Sequence, residues 1–124
     1  ADMLNRVRQP FNVNSIAQVA ALAALADEDY VAESARLNRD GLAQLMGGLD
    51  SIGVAYLPSH GNFLLVRVAA AGKGAAPVYE SLLRSGVIVR PVANYGLPDW
   101  LRVTVGLPEE NARFLSALSA ALGR

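Results

Sequence analysis

The sequence predicts an α+β fold, a sandwich in which helices pack on one face of a small, mostly antiparallel sheet. Three observations carry this. Apolar residues recur at helical spacing over four stretches, opening near Ser15, Asp27, Pro77 and Pro108. Between them lie short β-branched runs at Val54–Leu57, Asn62–Val68, Val87–Val92 and Leu101–Val105. The runs come in close pairs, and helices return over them, giving the order α-α-β-β-α-β-β-α.

Residues 6–14 carry a proline and two asparagines and read as extended. Ser15 followed by Gln18 has the spacing of a capping box, a hydroxyl with an amide three residues later. The helix it opens, roughly 16–26, is almost uniformly Ala, Leu and Val, so it needs cover on every side. Asp27 is a good N-cap for a longer helix, with Glu28 and Asp29 placed favourably against its dipole. At 3.6 residues per turn Val31, Ala35, Leu42, Leu45, Met46 and Leu49 share one side, with Tyr30 and Leu37 at its edge. Asn38 interrupts that stripe. Gly47 and Gly48 are expected to fray the helix end, and Gly53 suits the turn into a strand.

Pro58-Ser59-His60-Gly61 is a turn signal between the first two strands, and 69–76 is a loop of small residues. Pro77 fits the first position of a helix that turns Val78, Tyr79, Leu82 and Leu83 inward and stops at Ser85-Gly86. Residues 93–98 form a loop between the last two strands. Pro108 opens a final helix with Phe114, Leu115, Leu118 and Leu122 on one face.

Composition narrows the function classes. The 124 residues suffice for one domain with its own core. Hydrophobic content is 52%, slightly above the usual range, as expected if part of the surface is normally covered. Eleven basic residues balance eleven acidic ones without a block of like charge, so there is no footprint for nucleic acid or an anionic membrane. The apolar stretch from Ile16 to Ala26 is too short to span a bilayer and lacks the flanks of a signal peptide. No cysteine is present, which removes disulfides, thiolate metal sites and cysteine nucleophiles together. This permits a cytosolic protein. The opening Ala-Asp-Met-Leu-Asn-Arg, without an initiator methionine, reads like the middle of a longer chain.

Candidate chemistry is sparse. His60, the one histidine, falls in a turn, so no histidine metal cluster can form and a structural or solvated role is expected. Asp27, Glu28, Asp29, Glu109 and Glu110 sit at helix starts, where capping and the dipole account for them. Lys73 is the one lysine, set in Ala-Gly-Lys-Gly-Ala. A phosphate-cradling loop would need four residues between its glycines and a hydroxyl after the lysine, and neither is present. A lysine that reacts with a carbonyl must be desolvated or lie near another cation, and a glycine-flanked loop offers the opposite. Arg90 and Arg102 lie in β-branched runs. By alternation Leu101, Val103 and Val105 face one side, while Arg102 and Thr104 face the other. If that face meets only solvent, Arg102 is a surface charge. If it borders a cleft, the two guanidinium forks suit carboxylate or phosphate.

Six segments resemble, in order, histidinol-phosphate aminotransferases, pyridoxal phosphate (PLP) enzymes of the aspartate-aminotransferase fold. They are Arg8-Gln-Pro-Phe-Asn-Val-Asn-Ser15, Ser59-His-Gly-Asn-Phe-Leu-Leu-Val66, Gly86-Val-Ile-Val-Arg-Pro91, Tyr95-Gly-Leu-Pro98, Leu101-Arg-Val-Thr-Val-Gly106 and Pro108-Glu-Glu-Asn111. The resemblance implies that residues 1–124 are the C-terminal small domain, with 1–14 an extended lead-in from a large domain that is missing. It implies that Arg102 grips the substrate α-carboxylate. Arg90 would lie near the phosphate of histidinol phosphate or the side-chain carboxylate of glutamate. The parent would be a cytoplasmic, homodimeric enzyme of histidine biosynthesis, exchanging an amino group between glutamate and imidazole acetol phosphate. In such enzymes the PLP lysine, the arginine on its phosphate, the aromatic on its ring and the aspartate on its nitrogen all lie upstream of these segments. None is matched here, so no catalytic, cofactor-binding or metal-binding residue is expected in this chain, and no bound PLP. The residues alone also admit a stand-alone ligand-binding or regulatory module, and the resemblance admits an aminotransferase of other amino-acid specificity.

The setting of Lys73 yields a direct test. The isolated chain, incubated with PLP and reduced with borohydride, should leave Lys73 unlabelled and should not turn over histidinol phosphate. Stoichiometric labelling accompanied by turnover is the outcome that overturns this assignment.

Overall fold

In the computed structural model the described residues are 2–8, 11–69 and 74–124. Lys73 and Pro10 lie outside them, so the expectations for both stay at the level of sequence. The chain clusters into two compact units, Ala1–Ser34 and Ala35–Arg124.

The first unit departs from an extended lead-in. Helix α1 spans Asp2–Val7, with Asp2 in its first turn and Arg6 in its last, each suited to the dipole at its end. Residues 12–14 carry no regular structure, and Asn14 is extended at φ −68° and ψ 158°. Helix α2 follows at Ser15–Leu25. Its cap is Asn14 rather than Ser15: the Asn14 Oδ1 accepts from the Ala17 amide at 2.9 Å, while Gln18 Nε2 donates to the Val13 carbonyl at 2.8 Å. An asparagine one residue earlier supplies the same acceptor, so Ser15 becomes the first helical residue. None of α2 is buried, and Ile16 and Leu25 are 82% and 79% exposed.

Helix α3 runs from Glu28 to Ser51, and Asp27 caps it as expected, accepting from the Tyr30 amide at 3.1 Å. The apolar stripe is buried only from Gly41 onward, through Leu42, Leu45 and Leu49, while Tyr30, Val31 and Ala35 are exposed. Asn38, the polar interruption, donates from Nδ2 to the Gly61 carbonyl at 3.1 Å and so ties α3 to the 58–61 turn.

The sheet has four antiparallel strands, β1 (Tyr56–Leu57), β2 (Phe63–Arg67), β3 (Arg90–Pro91) and β4 (Trp100–Thr104), in spatial order β1-β2-β4-β3. Between β3 and β4 the expected loop contains a short 3₁₀ turn at Ala93–Tyr95. Three strands, β1, β2 and β3, are shorter than the β-branched runs that predicted them. Val87–Val89 stays outside the ladder, and the Val87 amide donates instead to the Leu82 carbonyl at 2.9 Å.

Helices α4 (Ala76–Arg84) and α5 (Pro108–Leu122) complete the second unit. Leu64, Val66, Leu101 and Val103 of the sheet meet Leu42, Leu45 and Leu49 of α3, Val78 and Leu82 of α4, and Phe114 and Leu118 of α5 in one core. Each fully buried leucine there contributes about 1.5–3 kcal/mol through removal from water. The helices therefore cover one face, as the sequence predicted.

Gly47 and Gly48 do not fray α3, which continues through Ser51. Gly48 instead admits the Leu115 side chain of α5, which a Cβ there would strike. One face of the same helix carries Gly41, where a Cβ would collide with Val105 Cγ1 and stand 3.1 Å from Asn111 Nδ2. Packing on bare backbone holds these elements close, and helix propensity is given up for it. Asn111 is the buried polar side chain at this junction. It accepts from the Gly106 amide at 2.9 Å and donates to the Gly106 carbonyl at 3.0 Å and to Gln44 Oε1 at 3.1 Å.

Two glycines in one helix should consequently respond in opposite senses. Gly47 has nothing within 4 Å of a Cβ. Gly47→Ala should stabilise by about 0.5–1 kcal/mol, and Gly41→Ala should destabilise by about 1–3 kcal/mol because Val105 is stiff at χ1. Urea unfolding of both variants checks this, and equal shifts would remove the close-packing explanation.

The bare apolar surface of α2 carries a further expectation. The isolated chain should bind a hydrophobic dye or self-associate by light scattering, since large exposed apolar patches mark a missing partner. A monomer that binds no dye would count against a missing domain.

Candidate functional site

The face of the sheet turned away from the core is set by the β2–β4 register. Phe63 stands opposite Thr104, Leu65 opposite Arg102 and Arg67 opposite Trp100. On the other side of β4, Arg90 stands opposite Arg102. Cross-strand partners share a face, so Leu65, Arg102 and Arg90 form one row across three strands. The two arginines singled out from sequence are thus brought side by side by the ladder itself.

Their electrostatics are unfavourable as they stand. Like charges directly opposite in an antiparallel pair repel. Neither guanidinium has a hydrogen bond or ion pair among the described residues, and Arg102 Nε is buried without an acceptor. A third arginine on this face, Arg67, differs in having Asp99 Oδ2 at 3.7 Å from its Nη2. Beside the Arg90–Arg102 pair lies a cleft of about 330 Å³, lined by both arginines and by Tyr79, Ile88, Val89, Pro91 and Thr104. Such a pocket, two unneutralised forks with apolar walls, suits a small molecule carrying carboxylate or phosphate.

A second cleft, of about 380 Å³, opens between Gly86–Val89 and Val103–Gly106 and contains Glu110, Asn111 and Arg113. Its polar groups are occupied. Glu110 Oε2 accepts from the Leu107 amide at 2.8 Å, Asn111 is bonded as above, and Arg113 Nη2 donates to the Ser85 carbonyl at 3.1 Å. These groups stabilise the fold and leave little to meet a ligand.

The remaining candidates fall where the sequence placed them. His60 is exposed in the 58–61 turn. Asp27 and Glu110 act as helix caps, while Glu28, Asp29 and Glu109 lie exposed in first turns. Among the described residues no group of three or more His, Cys, Asp or Glu could hold a metal ion. No helix of the described residues is long and apolar enough to cross a membrane.

Two residues beside these arginines escaped the sequence reading. Tyr79, expected only to face the core, is half-buried and also lines the cleft. The Phe63 ring centroid lies 5.2 Å from Arg102 Cζ. Alternation along one strand gives faces, but no local signal gives the neighbour on the next.

The sequence model of the family described as "Aminotransferase class I and II" matches residues 1–118. The chain belongs to this family. It is 60% identical to "Histidinol-phosphate aminotransferase 2" of Pseudomonas fluorescens strain Pf-5, covering 100% of this chain and 33% of that protein. It is 61% identical to the protein of the same name from Pseudomonas aeruginosa, over 98% of this chain and 32% of that one. The chain thus spans about a third of the length of the curated relatives it matches. The solved histidinol-phosphate aminotransferase of Clostridium acetobutylicum superposes with a TM-score of 0.81 at 27% identity, over 97% of this chain and 36% of that chain. That of Sinorhizobium meliloti, solved in complex with pyridoxal-5'-phosphate, gives 0.80 at 26%, over 98% and 34%.

Proposed function

We propose that this chain is the C-terminal small domain of a PLP-dependent histidinol-phosphate aminotransferase and that its task is substrate recognition. The parent reaction converts L-histidinol phosphate and 2-oxoglutarate to imidazole acetol phosphate and L-glutamate, in the cytoplasm and as a homodimer. The observation that carries the reading is the Arg90–Arg102 pair, two unneutralised guanidiniums side by side at one cleft. Relatives at about 60% identity with that name support the substrate.

Arg102 is assigned the α-carboxylate of glutamate, held by two parallel hydrogen bonds. Arg90 is assigned the side-chain carboxylate of glutamate or the phosphate of histidinol phosphate. Each anion also offsets the repulsion between the like-charged arginines.

The residues present do not fit the cofactor by themselves. The described residues contain no lysine, and Lys73 stands between glycines. No chemical step is therefore assigned to this domain. Cofactor and bond-making belong to the missing large domain in this reading, and this chain binds and orients the substrate.

The test is made in the full-length enzyme, with each half-reaction followed by single-turnover spectroscopy. Arg102→Lys keeps the charge and loses the fork. It should cost about 2–4 kcal/mol in the glutamate half-reaction, a fall of about 30- to 1,000-fold in kcat/KM. Histidinol phosphate has no α-carboxylate, only a hydroxymethyl group that carries its phosphate, so its half-reaction should suffer differently from that of glutamate. Arg90→Lys should weaken both. A glutamate half-reaction within about threefold of wild type in Arg102→Lys would make Arg102 a surface charge.

A further inference from the structure

A guanidinium that swivels offers a carboxylate one hydrogen bond where the fork could offer two, so something must fix its plane. For Arg102 no hydrogen-bond acceptor among the described residues does so, and its Nε is buried and unpartnered. The contact that remains is aromatic. Phe63 stands opposite Thr104 while Arg102 stands opposite Leu65, which makes Phe63 and Arg102 diagonal neighbours on one face, within reach of a ring. The Arg102 Cζ lies 5.2 Å from the Phe63 centroid, inside the range in which a cation is drawn to a ring face.

Phe63 is 37% exposed on the face turned away from the core, where a strand residue with no further task is ordinarily polar. It does not line the cleft, so it has no wall there to offer a substrate directly. With Nε sealed from water, the terminal nitrogens are the donors left for an incoming anion. We propose that Phe63 is a positioning residue: its ring holds the Arg102 guanidinium in one plane, so that both terminal nitrogens meet a carboxylate end-on. The proposal rests on the reading of Arg102 as the carboxylate-binding residue. It adds the aromatic support that makes the fork bidentate.

The experiment uses the full-length enzyme with Phe63→Leu, Phe63→Met, Phe63→Trp and Arg102→Lys. Glutarate, a dicarboxylate without a reacting amine, is titrated by calorimetry, and glutamate KM and kcat are measured separately. Leucine and methionine keep apolar bulk but have no ring face. Either should raise the glutarate Kd and the glutamate KM by about 3- to 30-fold, with kcat within about twofold of wild type. Phe63→Trp should restore both to within about twofold, because indole is the stronger partner for a cation. Normal glutarate binding in Phe63→Leu or Phe63→Met, beside weakened binding in Arg102→Lys, overturns the role of Phe63 and leaves that of Arg102 standing. Equal losses in the leucine and tryptophan variants would mean that Phe63 matters only for packing, which also overturns it. Unchanged binding in Arg102→Lys removes the carboxylate reading and this proposal with it.

Discussion

Five consecutive residue pairs join β2 to β4, from Phe63 against Thr104 to Arg67 against Trp100, and alternate pairs are committed to opposite faces. Leu64, Val66, Leu101 and Val103 are each at most 4% exposed, so one side of this ladder is the floor of the core. A slip of one residue would drive Arg102 and Thr104 into that core and lift leucines and valines into water. The cost of burying an unpaired guanidinium is far larger than any local preference could repay. The position of the arginine site is therefore a consequence of hydrophobic burial on the opposite face.

The core side is close-packed through unusual means. Gly41 and Gly48 give up helix propensity so that Val105 and Leu115 can lie against bare backbone. Asn111 satisfies the backbone of Gly106 and reaches Gln44 on α3, joining three segments with one side chain. A rigid underside of this kind holds β4 in place, and a site carried on a strand keeps its geometry better than one carried on a loop.

The outer face has the opposite character. It carries like charges in direct opposition, a buried nitrogen without an acceptor and a half-exposed aromatic ring. Each is a small cost to the folded chain, and the proposed anion site rests on the three together. In the first unit α2 buries none of its apolar residues. The exposed apolar surface fits a chain that spans about a third of the length of its curated relatives.

Local patterns settled much. Helical spacing found α2 to α5, and Asp27 was legible as a cap because a side-chain acceptor before a helix acts on amides three residues away. Alternation put Leu101 and Val103 on one face and Arg102 on the other, since side chains along a strand simply alternate. The ordered segments from Arg8 to Asn111 carried the family resemblance that the match over residues 1–118 bears out. The start of the chain is helical at α1 rather than extended, and the cap of α2 is one residue earlier than Ser15, where neighbouring polar residues compete for the same role. The tertiary structure alone decided that Arg90 faces Arg102, that Phe63 reaches Arg102 and that Gly48 receives Leu115. Those are pairings between residues 12 to 67 positions apart, set by strand register and helix packing, and no local propensity encodes which distant side chain a residue will meet.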